Sequence, residues 1–496
     1  MSKLRELFSD TLIYGISSVL ARFINYLLVP LHTGVFNTAK YGVIGLVYAA
    51  IAFLNVIFTF GMESAYLRYA ENRKEAANVF KTLQAALLIF ATLLCGILYL
   101  AMPWLMPLMS LEPETSGIFL LMLGILWFDT LSIVPMAELR LTRRAMLFAI
   151  LKTLNVVINI ALNFYLILSL ELGIEAVFMA NLAGSAIMTI LVWIATLDLL
   201  KGSFSKQWMK TAFEFGWPFV PSGIGFVINE MLDRFLLNSM DPANAERLYG
   251  IGTTPEDVVG IYNACYKLAV FMLLVVQMYR MAWQPFFMRH AKDGDSKVVF
   301  GQAFVWYNVA SALLFLIVAL FKEQIVAITI PGTGSTLIGS DYWGGLGIVP
   351  FLLLAYWFHG WYINFSSGVF IKEKTHVFYK ITLMGGVITI IANLLLIPIF
   401  GMIGSATATL LSYGAMATTL GLYSKKVMDV PYRLPESFGL MIALAGLVFG
   451  EPWITAFLNG GEILVKGLIL IAGSLVIALY LWLTFFRMKK ISSEEV

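Results

Sequence analysis

Long apolar segments separated by short polar connections recur along the whole chain. Each is long enough for one helix to cross a hydrocarbon layer of about 30 Å. The pattern predicts fourteen spans, at roughly 10–34, 41–63, 82–108, 117–138, 146–169, 173–198, 213–240, 258–282, 298–321, 344–369, 377–398, 402–423, 436–457 and 464–486. Twelve or thirteen spans remain the alternative if a late pair does not cross. The chain is therefore predicted to be an all-α polytopic membrane protein.

The composition supports this prediction. Hydrophobic residues make up 60% of the 496 residues and charged residues 13%, whereas about 25% are charged in a typical soluble protein. The two cysteines, Cys95 and Cys265, lie in different apolar segments and form no metal-binding or CxxC pattern. The four histidines are not spaced as metal ligands, so we expect no metal site.

The charges between the segments predict the orientation. Even-numbered connections carry clusters such as Arg140, Arg143 and Arg144, whereas odd-numbered connections carry few basic residues. Because cytoplasmic loops are enriched in Lys and Arg, both termini are predicted to be cytoplasmic. We call the predicted cytoplasmic side inner and the opposite side outer.

A weak internal repeat relates the two halves. Tyr41–Phe53 aligns with Val259–Phe271, and Asn163–Ala176 is similar to Asn393–Ala406. The coinciding positions of the first pair are Gly42/Gly260, Tyr48/Tyr266 and Phe53/Phe271. Six crossings return the chain to its starting side, so the halves are predicted to be parallel six-helix repeats. The predicted division is one bundle at 1–200, a second at 201–425, and two extra helices with a cytoplasmic tail at 426–496.

Charged and polar residues inside the first span are the first candidates for function. Arg22 shares a helical face with Ser18 and Asn25. A cation at this depth costs several kcal/mol unless it has a partner or faces water. Arg22 is therefore either a helix brace paired with a carboxylate or a cavity residue that meets an anionic substrate.

The seventh and eighth spans are also polar. Asn229 and Asp233 share a stripe, and Glu230 and Arg234 are spaced to pair on one helix. Lys267 lies at a depth that allows a pair with Asp233. Prolines and glycines near the start of the seventh span predict a hinge, or else close helix packing.

Four cations within spans make up the predicted substrate site: Arg22, Arg234, Lys267 and Arg280. Ser18, Asn25 and Asn229 are the predicted polar residues of the same cavity. A cavity with surplus positive charge would suit pyrophosphate or a sugar acid. Arg280 is alternatively an interfacial arginine. The aromatic stretch around His359 could stack on sugars, although packing is the simpler interpretation.

No catalytic motif is present, so we expect a transporter, not an enzyme, with no cofactor. The chain lacks a GxxxxGK[ST] nucleotide-binding loop and a nucleophile elbow. Active transport would then use an H+ or Na+ gradient, with Asp233, Glu230 or Glu63 as the protonatable group.

The N-terminal segments resemble a known family. Tyr14–Gly34, Ala39–Tyr48 and Phe60–Tyr69 resemble the polysaccharide exporters, the O-antigen (Wzx-type) flippases of the multidrug/oligosaccharidyl-lipid/polysaccharide (MOP) superfamily. The segments that begin at Asn163 and Asn393 are similar to the same family's entries into its sixth and twelfth spans. The resemblance implies a MATE-like fold and flipping of a polyprenyl-pyrophosphate-linked oligosaccharide across the bacterial inner membrane by alternating access.

The resemblance also suggests roles for single residues. The chain is similar to lipid II flippases, in which arginines on the first and eighth helices hold pyrophosphate, the positions of Arg22 and Arg280 here. Arg68 and Glu63 match an exporter pattern that implies a gate or a bundle brace. The expected partners are the lipid-linked oligosaccharide, membrane lipid and glycan assembly enzymes, with no nucleic acid. A lipid II flippase or a MATE-like ion-coupled drug antiporter with an acidic cavity remains an alternative.

Overall fold

The computed structural model describes residues 3, 5, 7 and 28–494. Residues 331–334, 375, 459 and 460 are excepted, as are the side chains of residues 145 and 485–494. Helices dominate these described residues, where an isolated bridge joins Thr329 to Thr336. The chain forms two compact units, one within Ala21–Asn263 and one that contains Ala264–Val496. We call them the N-terminal and C-terminal units. The prediction of bundles at 1–200, 201–425 and 426–496 stays a prediction.

The N-terminal unit contains eleven helices among its described residues and the start of a twelfth. They are α1 (Leu28–Val35), α2 (Thr38–Thr59), α3 (Met62–Tyr69), α4 (Ala76–Leu100), α5 (Met102–Leu105), α6 (Ser116–Leu141), α7 (Ala145–Phe164), α8 (Glu175–Ile194), α9 (Lys206–Gly216), α10 (Phe219–Asn238) and α11 (Pro242–Tyr249). Short 3₁₀ segments at Met106–Met109, Pro113–Thr115 and Leu197–Lys201 and a π-helical turn at Tyr165–Ser169 complete the unit.

Helix α12 (Pro255–His290) contains the boundary between the units, which falls after Asn263. The remaining helices of the C-terminal unit are α13 (Ser296–Leu320), α14 (Lys322–Val326), α15 (Val349–Ile371), α16 (His376–Val427), α17 (Leu434–Leu458) and α18 (Glu462–Glu494). A 3₁₀ segment at Ser340–Ile348 precedes α15.

Eleven described helices are long and apolar enough to cross a membrane. One of them, α16, has 52 residues and would be about 78 Å long if it were straight. Gly401 interrupts it with φ 54° and ψ −126°, and this break falls between the predicted eleventh and twelfth spans. The predicted seventh span corresponds to α10, which is not among the eleven, and most of the first span lies outside the described residues. The all-α multispan fold is confirmed, and the count of fourteen stays a prediction.

The repeat-related glycines Gly42 and Gly260 lie against each other in the N-terminal unit. A Cβ on Gly42 would overlap the carbonyl oxygen of Glu256, and one on Gly260 would overlap that of Thr38. The offset that aligns the two glycines also aligns Thr38 with Glu256, so the two close approaches are equivalent. This reciprocity is the property of a contact across a two-fold axis. The contact therefore supports the internal repeat.

Buried aromatic residues form the core of the C-terminal unit. The Nε1 atoms of Trp357 and Trp361 both donate to Asn308 Oδ1 at 2.8 Å, and Phe304 packs against Trp361 and Tyr432. These side chains are almost completely buried, and their hydrogen bonds satisfy polar atoms that would otherwise be desolvated. This part of the aromatic stretch in α15 is core packing.

Ion pairs join α3 and the connection that follows it to the inner end of α6. Arg73 makes a bidentate pair with the buried Glu138, at 2.6 and 3.0 Å, and Tyr66 donates its hydroxyl to the same carboxylate at 2.7 Å. Glu63 pairs with Arg140 beside it.

In the C-terminal unit, Lys3 pairs with Asp293 at 2.7 Å, and this hydrogen bond holds the pKa of Asp293 below its usual value.

Candidate functional site

Two clusters of polar residues, each built around an arginine, lie within the predicted membrane spans, one in each unit. In the N-terminal unit, Arg234 Nη1 lies 2.5 Å from Asp233 Oδ1, and Tyr262 donates its hydroxyl to Asp233 Oδ2 at 2.7 Å. The guanidinium also covers the Tyr262 ring, 5.5 Å from its centroid. Both charged side chains are 3% exposed. We call Asp233, Arg234 and Tyr262 the paired cluster.

Helix α10 places the paired cluster next to two other predicted site residues. Asn229 and Glu230 are buried on the same helix, and Arg234 donates to the backbone carbonyl of Glu230 one turn away. The i,i+4 spacing of Glu230 and Arg234 therefore brings the guanidinium to the Glu230 backbone. Because Arg234 is buried and its charge is balanced by Asp233, its contacts are those of a structural ion pair.

Arg280 is in a different environment in the C-terminal unit. Its side chain is exposed on α12, as is that of Gln284 one turn further. Helical side chains lean toward the helix N-terminus, and for Arg280 that direction is the middle of the predicted span. Its positive charge acts on His359 and Tyr362 of α15. We call Arg280, His359 and Tyr362 the open cluster.

Two contacts between tyrosines and α15 fix the register of the open cluster. Tyr266 is hydrogen-bonded to Tyr356, and Tyr279 donates to Asn364 Oδ1 at 2.7 Å. Tyr279 is buried and directly precedes Arg280. The hydrogen bond of Tyr279 to Asn364 therefore also fixes the direction in which the Arg280 side chain projects from α12. His359 is 6% exposed and stacks on Tyr413 of α16, with ring centroids 4.8 Å apart.

Arg280 has no ion-pair or hydrogen-bond partner within the described parts of the chain. An arginine within a membrane span normally faces a partner or a water-filled cavity, because its desolvation is costly. An exposed cation without a carboxylate partner can bind an anion without first breaking an internal pair. This property separates Arg280 from Arg234.

The other predicted site residues have varied environments. Glu63 pairs with Arg140, and the guanidinium of Arg68 lies 5.2 Å from the centroid of Phe215 on α9. Both contacts are consistent with a brace at the inner end of the N-terminal unit. Lys267 is on α12 in the C-terminal unit, and its pair with Asp233 stays a prediction. Arg22, Ser18 and Asn25 lie outside the described residues.

Sequence reasoning missed the Arg73–Glu138–Tyr66 network and the unsatisfied nitrogen of His359. Arg73 lies in a basic connection between two predicted spans, and Glu138 is 65 residues away from it in the sequence. No short spacing signals either feature, because both depend on contacts between distant segments.

The N-terminal unit also has an apolar groove of about 640 Å³ at the outer end of α4. Leu100, Met106, Pro107 and Leu120 are among its lining residues. The lining contains no charged side chain, so the groove is unsuited to phosphate.

The family model for polysaccharide biosynthesis proteins matches residues 7–291 of the chain. No curated protein matches the sequence. The matched part includes the whole N-terminal unit, with the paired cluster, and also Arg280.

Solved structures with a similar fold include an inward-facing multidrug resistance MATE family transporter of the MOP superfamily. It has a TM-score of 0.67 and 15% identity, over 84% of this chain and 97% of that chain. An outward-facing MATE family transporter matches with a TM-score of 0.60 and 15% identity, over 86% and 95%.

A third similar structure is a MOP superfamily transporter from Pyrococcus furiosus, described as having a binding pocket of reverse polarity that suggests a different function. Its TM-score is 0.58 at 15% identity, over 86% of this chain and 95% of that chain. The predicted family and MATE-like fold are therefore confirmed. The chain belongs to the polysaccharide biosynthesis protein family and is a multispan membrane protein with the fold of MOP superfamily transporters.

Proposed function

We propose that this chain is a flippase that moves a polyprenyl-pyrophosphate-linked oligosaccharide across the bacterial inner membrane by alternating access. The glycan would be an O-antigen or another surface polysaccharide repeat unit. Both termini would be cytoplasmic, and the chain would have no catalytic activity or cofactor of its own.

The observation that carries this proposal is the unpaired Arg280. A pyrophosphate group is the strongly anionic part that every such substrate shares, and a guanidinium binds phosphate oxygens in a bidentate geometry. Arg280 places a guanidinium within a predicted span, and it has no carboxylate partner among the described residues. The family match to polysaccharide biosynthesis proteins supports the same substrate class.

Alternating access also needs a contact that can close and part. The Gly42–Gly260 contact is a candidate for the outer closure, because the backbones of α2 and α12 touch there. Hydrogen bonds lie on either side of this contact. Thr38 donates to Asp257, and Ser110 donates to Glu256 at 2.7 Å. Few buried side chains would have to repack when such a contact opens.

The energy source would be an H+ or Na+ gradient, with Asp233, Glu230 and Glu63 as candidate coupling groups. Asp233→Asn tests the first of them by measuring how transport depends on a pH gradient. Lost dependence would support a coupling role, whereas unchanged dependence would remove Asp233 from the mechanism. Enzymes of glycan assembly would be functional partners.

The experiment that tests the proposal is mass spectrometry of polyprenyl-linked glycans in cells with and without the gene. We expect one lipid-linked oligosaccharide to accumulate without the gene and to disappear when the wild-type gene is restored. Arg280→Leu should not restore transport although it reaches the membrane. Unchanged glycolipids would contradict the proposal.

Two alternatives predict different outcomes of the same experiment. The similar structures named as multidrug MATE transporters favour an ion-coupled drug antiporter as the second candidate. Loss of the gene would then leave glycolipids unchanged and increase sensitivity to cationic drugs. A lipid II flippase would instead cause the accumulation of the peptidoglycan precursor.

A further inference from the structure

His359 has a buried nitrogen that no described part of the chain satisfies. It lies near the middle of α15, ten residues after Val349 and twelve before Ile371. The residue is 6% exposed, and its Nδ1 atom has no hydrogen-bond partner among the residues that the structure describes. Buried polar atoms are nearly always paired, so such an exception needs an explanation.

The packing of α15 does not provide that explanation. The neighbouring indole nitrogens of Trp357 and Trp361 both reach Asn308. His359 lies on another face of the helix, three residues from Tyr356 and three from Tyr362. Tyr356 contacts both Tyr266 of α12 and Tyr413 of α16, so this face of α15 meets the helix that carries Arg280 as well as α16.

The open cluster contains two groups that can donate hydrogen bonds and lack an acceptor. Arg280 has five N–H donors, and an imidazole can carry its proton on Nδ1. Neighbouring donors that lack an acceptor are the arrangement expected of an anion site.

We propose that His359 is a second phosphate contact, which acts together with Arg280 on the anionic head of the lipid substrate. His359 donates from Nδ1 to a phosphate oxygen, and Arg280 binds the same head group through its guanidinium. The Tyr413 ring holds the imidazole in place by stacking. The inference rests on the proposed function and names a residue that recognises the substrate class.

The test measures binding of farnesyl diphosphate to the purified full-length protein, with farnesol as the uncharged control. We expect His359→Leu to weaken binding of the diphosphate about 10-fold and to leave farnesol binding unchanged, because a hydrogen bond to a charged group is lost. His359→Asn places an amide nitrogen where Nδ1 lies. It should restore diphosphate affinity to within about 3-fold of the wild type. His359→Gln is the matched control. Its amide nitrogen is one bond further from the backbone, so it should not restore the affinity for the diphosphate.

Either of two results with the His359→Leu variant would overturn the inference. One is an unchanged affinity of His359→Leu for the diphosphate. The other is an equal loss of affinity for the diphosphate and for farnesol, because that would indicate a packing role. If His359→Leu does not fold, the comparison of the Asn and Gln variants still decides, since equal affinities would remove the Nδ1 contact.

The same measurement separates this inference from the proposed function and from ordinary phospholipids. If Arg280→Leu weakens diphosphate binding but the His359 variants do not, the flippase proposal stands and the role of His359 is rejected. A wild-type protein that binds the diphosphate no better than farnesol contradicts the flippase proposal itself. Competition by phosphatidylglycerol at an equal concentration would assign the site to common lipid head groups and overturn the substrate assignment.

Discussion

The paired cluster and the open cluster place an arginine within a predicted span in opposite ways. Arg234 is 3% exposed and lies against Asp233, and a tyrosine hydroxyl satisfies the other carboxylate oxygen. Arg280 is exposed, and within the described part of the chain the Nδ1 atom of His359 near it has no hydrogen-bond partner. One arginine is neutralised by its own unit, whereas the other keeps its charge available.

This difference determines what each arginine can do. A buried ion pair is costly to break because the remaining charge stays desolvated, so Arg234 contributes to the structure of the N-terminal unit. An unpaired cation has little internal bonding to lose when a ligand binds. The same residue type therefore serves stability in one unit and, in our proposal, recognition in the other.

The largest effect is expected when one side of the paired cluster is removed. Arg234→Leu leaves Asp233 buried without a cation and should lower the free energy of unfolding by about 3–5 kcal/mol. Arg280→Leu, the matched control, should change it by less than about 1 kcal/mol because the side chain is exposed. Thermal unfolding in detergent measures both, and equal losses would invalidate the comparison.

A transport assay should be sensitive to Arg280 of the open cluster, although thermal unfolding is not. Arg280→Leu should reduce flipping of the lipid-linked oligosaccharide at least 10-fold, equivalent to about 1.4 kcal/mol or more, with wild-type thermal stability. Arg280→Lys keeps the charge but loses the fork geometry, and an intermediate rate is expected. Full activity of Arg280→Leu would show that this arginine only anchors the helix at the membrane surface.

Gly260→Ala would disturb the paired cluster without changing any charge. The new Cβ would overlap the Thr38 carbonyl and displace the turn that carries Tyr262, the partner of Asp233. We expect a loss of about 1–3 kcal/mol in stability, as for other overpacked sites. Gly96→Ala is the control, since nothing lies within 4 Å of its added Cβ. A loss of the same size in both variants would rule out the close contact as the cause.

Removing both members of the buried pair should largely reverse the effect of removing one. The double variant Asp233→Leu/Arg234→Leu should unfold within about 1 kcal/mol of the wild type, because apolar residues often replace a buried pair without loss. Tyr262 would lose one hydrogen bond, so Tyr262→Phe in this background is the control. If the double variant is as unstable as Arg234→Leu, the unpaired carboxylate is not what destabilises the single variant.

The smallest effect is expected at the exposed pair of Glu63 and Arg140. Their side chains are 47% and 40% exposed, and exposed pairs contribute at most about 1 kcal/mol. Glu63→Gln should therefore leave unfolding nearly unchanged, whereas Glu138→Gln, at the buried pair with Arg73, should be clearly less stable. Chemical or thermal unfolding of the two variants gives the comparison, and a reversed order would contradict the exposure argument.

Much of the architecture could be predicted from the order of residues. The apolar segments and their basic connections predicted the all-α multispan fold, and the break at Gly401 lies where a connection between two spans was expected. The alignment of Gly42 with Gly260 indicated a repeat, and the reciprocal contact between these glycines supports it.

The candidate site was only partly predictable. Polar residues at membrane depth are rare enough to be recognised in the sequence, so Arg234 and Arg280 were both identified. Their different roles were not, because Tyr262 reaches Asp233, and His359 comes near Arg280, only when separate helices pack together.

Hydrophobic patterning and charge asymmetry are local properties, and the free energy of transfer into a membrane acts on each segment separately. The sequence by itself therefore determined the membrane class, the helical fold and the set of charged residues within it. Which arginine is neutralised and which remains available depends on the distances between distant side chains. Desolvation and pairing follow those distances, so only the tertiary structure decided that Arg234 is paired and Arg280 is open.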